Sequence, residues 1–127
     1  MRIFKTRAFG RFARKERIGI AAICEAIARA ERGLVDADLG GDVIKQRVAR
    51  AGQGRSGGYR TLIAFRSATR SVFLHGFAKN DQDNITDDEL RQLRGAAAEV
   101  LGWSDEAVAR LLEAGKWTEV RCDDQDL

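Results

Sequence analysis

The chain has 127 residues, 44% of them hydrophobic and 32% charged, a length and balance that suit one globular domain and exclude a disordered chain. No apolar run approaches the roughly 20 residues that a membrane-spanning helix needs. The nearest, Ile18 to Cys24, is interrupted at once by Glu25 and reads as the apolar side of a helix rather than as a signal peptide. Cys24 and Cys122 fit neither a disulfide framework nor a zinc spacing, so they are expected as reduced thiols in a cytoplasmic protein. The net charge of +3 conceals a division. Residues 1 to 70 hold 16 Lys and Arg against 6 Asp and Glu, whereas residues 71 to 127 hold 6 against 13. Such a split sets up a field that draws a polyanion to one part of the surface.

Met1 to Thr6 alternates as an opening strand. Arg7 to Arg17 is strongly basic, with Phe9 and Phe12 three apart, and suits a short helix with a charged outer face. Ile20, Ile23, Ile27, Ala30 and Leu34 form the stripe of a second helix that Gly33 stops. The period then becomes alternating. Leu34 to Leu39 and Asp42 to Val48 flank Gly40-Gly41, a pair suited to a two-residue hairpin turn. A basic, glycine-rich connection from Ala51 to Gly58 opens into strands Tyr59 to Arg66 and Ser71 to Ala78, the expected centre of an antiparallel sheet. Thr86 and Glu89 form a capping box for a helix with Leu90, Leu93, Ala97 and Leu101 on its apolar stripe. Ser104 caps a further helix, and Trp117 to Cys122 closes the chain as a short strand. No proline or repeat marks a linker, so the reading is a single α+β domain over residues 1–127, an antiparallel sheet with N-terminal helices packed on it and additional C-terminal helices.

A four-residue loop from Ser67 to Arg70 places Arg60 opposite Phe77. Alternation then gathers Arg60, Leu62, Ala64 and Arg66 with Phe73, His75, Phe77 and Lys79 on one face. Tyr59, Thr61, Ile63 and Phe65 share the other with Val72, Leu74 and Ala78, and that is the better core face. A face bearing arginines, a histidine, a lysine and aromatics suits phosphates and bases. The connection that enters it, Arg50-Ala51-Gly52-Gln53-Gly54-Arg55-Ser56-Gly57-Gly58, resembles a phosphate cradle, in which glycines let backbone N–H groups approach an anion. It is not a Walker motif, and no metal-ligand cluster accompanies it.

The run Arg55-Ser56-Gly57-Gly58-Tyr59-Arg60-Thr61-Leu62-Ile63-Ala64-Phe65, followed by Val72-Phe73-Leu74-His75-Gly76-Phe77-Ala78-Lys79-Asn80 and Asp83-Asn84-Ile85, resembles the RelE-like toxins of type II toxin–antitoxin systems over roughly Leu39 to Leu101. The resemblance implies a ribosome-dependent endoribonuclease that cuts messenger RNA through attack of the ribose 2′-hydroxyl on the adjacent phosphate, with neither metal nor cofactor. It also implies an antitoxin partner of helix-turn-helix type. Arg60 matches the family's phosphate-gripping strand arginine, Lys79 the basic residue at the next strand end, and Arg55 the basic loop residue. An arginine stays charged and binds phosphate through two N–H groups, which makes Arg60 and Arg55 the electrostatic clamps. Lys79 is a third clamp or a proton-transfer group, and His75 carries an imidazole, the side chain most suited to acid–base work. Arg50, Gln53, Arg66 and Phe77 complete the candidate RNA-binding set. Where the wider family has lysines before the Gly-Tyr-Arg segment, this loop offers Gln53 and Arg55, and no tyrosine follows Tyr59. Two alternatives therefore stand beside the nuclease: a ParE-like toxin that binds gyrase, and a catalytically degenerate nucleic-acid-binding module.

Overall fold

The computed structural model describes residues 1–50, 54–78 and 85–122, the side chains of 54–57 excepted. In chain order the elements are β1 (Arg2–Thr6), α1 (Arg7–Glu16), α2 (Ile20–Glu31), β2 (Ala37–Asp38), β3 (Val43–Arg50), β4 (Gly54–Arg66), β5 (Arg70–Ala78), α3 (Asp87–Gly102), α4 (Asp105–Glu113) and β6 (Trp117–Val120). Local chemistry explains the helix starts. The Thr6 hydroxyl accepts from the Phe9 N–H at 3.2 Å and starts α1 directly out of β1. Thr86 and Glu89 make the reciprocal capping box of α3, and the Ser104 hydroxyl accepts from the Ala107 N–H to open α4.

The six strands lie in the order β2-β3-β4-β5-β1-β6, with β4 and β5 at the centre. Every pairing is antiparallel except β1 with β5, which run parallel. The first strand thus fills the slot between β5 and the last strand, which makes the sheet mixed rather than wholly antiparallel. Helices cover both faces. Phe9 and Ala13 of α1 and Ile23, Ala26, Ile27 and Ala30 of α2 pack on Ile44, Val48, Ile63 and Phe73. On the other face Ala97, Val100 and Leu101 of α3 and Val108 of α4 pack on Phe4, Val43, Ala64, Val72 and Trp117. The helical stripe expected on α2 is buried only in its middle, since Ile20 and Leu34 at its two ends are exposed.

Both hairpins differ from expectation. Gly40, Gly41 and Asp42 all take positive φ, of 80°, 58° and 64°, so the β2–β3 connection is longer than a two-residue turn. Arg66 pairs with Arg70, which leaves a three-residue loop with Ala68 in the left-handed region at φ 62°. That loop sets Ala64 against Val72 and Ile63 against Phe73, one residue out of the expected register. A β-bulge then restores it, and from Leu62↔His75 to Arg60↔Phe77 the pairing is the expected one. The consequence is an exchange of faces near the turn: Phe73 enters the α1/α2 core, and Val72 and Leu74 pass to the α3/α4 side.

The cysteines are likewise not free thiols. Cys24 on α2 and Cys122 just beyond β6 form a disulfide with Cα atoms 5.7 Å apart. They stand 98 positions apart in sequence, and only the return of β6 alongside β1, close to α2, brings them within disulfide reach.

Candidate active site

Bulging at Leu74 shapes the candidate site. It sends two consecutive side chains, Leu74 and His75, to one face, where they meet Leu62 of β4 and the α3 side chains Gln92, Leu93 and Ala96 around a groove of about 390 Å³. Ile85 and Glu89 close its end, and the Glu89 carboxylate is engaged by the Thr86 N–H and hydroxyl. The groove is mainly apolar, with polar groups at its rim, and its size is that of a small-ligand or nucleobase pocket.

Arg60 lies two residues from Leu62 on the same face, half-buried, opposite Phe77. Among the described residues its guanidinium has no carboxylate or carbonyl partner, whereas Arg2, Arg29, Arg66, Arg70 and Arg94 each have one. A partly desolvated guanidinium in mid-strand, without such a partner among the described residues, is primed for an external anion. His75 is exposed, and its ring lies 5.9 Å from that of Phe77. Phe77 is only 5% exposed, so of these two neighbouring rings it is that of His75 that is open to a ligand.

Not every expected residue joins them. Arg66 sits at the far end of β4, paired with Asp42 at 3.0 Å. Arg50 ends β3 with its guanidinium 5.4 Å from the centre of the Tyr59 ring, which belongs to the α1 side of the sheet. Arg55 belongs to β4, so part of the expected glycine-rich loop is strand. Its side chain, together with Gln53 and Lys79, lies outside the described residues. Tyr59 is buried and donates to the Glu16 carboxylate at 3.0 Å. Burial above all, and then that carboxylate, pushes its hydroxyl pKa up. The chain's one tyrosine is therefore a core group and not a proton carrier for the groove.

Sequence reasoning missed the α3 wall of the groove, because a helix stripe does not show which end of a sheet it covers. It also read Gly58 as part of an anion-binding connection and gave no reason for Gly76. A Cβ on Gly58 would come within 2.1 Å of the Val48 carbonyl oxygen, and one on Gly76 within 2.6 Å of the Phe12 ring. Both glycines flank the candidate site and let the backbone of β4 and β5 approach its neighbours.

No curated protein matches the chain. A family profile described as the RelE toxin of the RelE / RelB toxin-antitoxin system matches residues 1–120. That span takes in the six strands and four helices of the described residues, and with it the resemblance carried by the β4 and β5 motifs becomes a family assignment. The chain belongs to the RelE toxin family of toxin–antitoxin systems.

Proposed function

We propose that this chain is an endoribonuclease that cleaves messenger RNA on the ribosome, in the cytoplasm, and is neutralised by a cognate antitoxin of helix-turn-helix type. The observation that carries the reading is the Arg60 guanidinium, without a carboxylate or carbonyl partner among the described residues and held half-buried beside a base-sized groove with His75 at its rim. In the proposed reaction the ribose 2′-oxygen attacks the adjacent phosphorus and the bond to the 5′-oxygen breaks. The products are a 2′,3′-cyclic phosphate and a 5′-hydroxyl. Two protons move, one off the 2′-hydroxyl and one onto the departing 5′-oxygen. Arg60 stabilises charge growing on the non-bridging oxygens, with Arg55 and Lys79 as further clamps. His75 is the group placed to move a proton while its ring stacks on a base.

The test is primer extension on a translated message during controlled expression, comparing the wild type with Arg60→Ala. Cuts at defined positions that fall by two orders of magnitude or more in the variant are expected, the usual size of losing one oxyanion-stabilising group. Growth arrest without cuts would instead assign the chain to gyrase binding, and absence of arrest to a degenerate binding module.

A further inference from the structure

The outer face of α1 carries a charge pattern that the fold does not use. Arg7, Arg11 and Arg14 recur at spacings of four and three, so they share one stripe, and Lys15 and Arg17 extend it. All five are exposed, and among the described residues none has a carboxylate or side-chain hydrogen-bond partner. Glu16, the single carboxylate of the helix, is turned away to Tyr59. Like charges four apart destabilise a helix, and a cation in its first turn opposes the helix dipole. No acidic residue relieves that first turn. Nearby, burial and then Arg14 lower the pKa of Lys5, so the uncompensated charge is felt by its neighbour.

Geometry separates this face from the groove. Phe9 and Ala13 fix the inner side of α1 to one face of the sheet, while Arg60, His75 and the groove belong to the α3 face. The absence of exposed large apolar side chains on α1 indicates the kind of partner. A protein interface needs desolvated apolar anchors at its centre, whereas a phosphate backbone asks only for charge and donors. We propose that the outer face of α1 is a second RNA-binding site, which grips the phosphate backbone of a structured RNA distinct from the strand held at Arg60. Binding here is independent of cleavage.

The test measures binding of the purified full chain to a fluorescein-labelled RNA duplex of arbitrary sequence, by anisotropy across a salt series. Replacing Arg7, Arg11 and Arg14 together by Gln should lower the slope of log Kd against log salt by about 2 to 3 and weaken binding on the order of a hundredfold near 0.1 M salt. Arg60→Ala should leave the duplex slope within about one unit of wild type even if it abolishes cleavage, because one phosphate contact contributes about that much. Because the three side chains are exposed, the melting temperature should hold; should the triple variant fail to fold, Arg11→Gln alone should lower the slope by about 1. Wild-type slope and affinity in a folded variant would overturn the proposal. So would loss of duplex binding through Arg60→Ala alone, or an α1 variant that binds duplex normally and loses only an acidic protein partner.

Discussion

Gln46 shows how much one side chain does at the residue scale. It is fully buried on β3, and its amide donates to the carbonyls of Ala26 on α2 and Leu34 beyond it, while its oxygen accepts from the Asp36 N–H at 3.0 Å. One amide thus ties together three backbone groups, one within α2 and two in the connection from α2 to β2, a stretch with little regular hydrogen bonding of its own. Gln46→Leu keeps the volume and removes all three bonds, so chemical denaturation should show a loss of about 3 kcal/mol, the scale set by leaving buried polar groups unpaired. A loss below about 1 kcal/mol would mean that water replaces the amide. Nothing in residue type separates Gln46, wholly buried, from Lys45 beside it; only the closing of α2 over the strand does.

At the scale of elements, the register of β4 and β5 decides where the chemistry sits. Near the motifs the expected pairing was right, since Arg60 does lie opposite Phe77. Toward the turn it was wrong, because the loop is one residue shorter than expected and the bulge at Leu74 compensates. Alternation cannot reveal two irregularities that cancel. Gly58 is the companion feature on the β3 side, pressed against the Val48 carbonyl where the β3–β4 register shifts. Gly58→Ala should force that pairing apart, lowering stability by about 2 kcal/mol and reducing the proposed RNA cleavage. Gly95→Ala on α3, where the new methyl meets nothing within 4 Å, should instead raise stability by about 0.5 to 1 kcal/mol with cleavage unchanged. Urea titration and primer extension on the same two variants measure both. Equal effects from the two substitutions would show that the close contact at Gly58 is immaterial.

At the scale of the whole molecule, the class of fold and the order of the elements were legible because helical and alternating periods succeed each other cleanly. The parallel insertion of β1 and the disulfide were not, because each joins parts of the chain that have no relation along the sequence. Closing a loop of this length takes much entropy from the unfolded chain. Cys24→Ser should therefore destabilise the oxidised protein by about 2 to 5 kcal/mol, and a thiol reductant should bring the wild type to the same melting temperature. Identical melting curves with and without reductant would show that the bond contributes nothing.

The wall of the groove is held from below as well as from its end. Phe4 of β1 and Trp117 of β6 lie 5.5 Å apart in the core that seats α3, and Trp103 just beyond α3 stacks on Trp117. Ala97, Val100 and Leu101 of α3 rest in the same core on Val43, Ala64 and Val72 of β3, β4 and β5. The strands that present Leu62, Leu74 and His75 to the groove therefore also seat its opposite wall, so floor and wall cannot part without opening the packed layer between them.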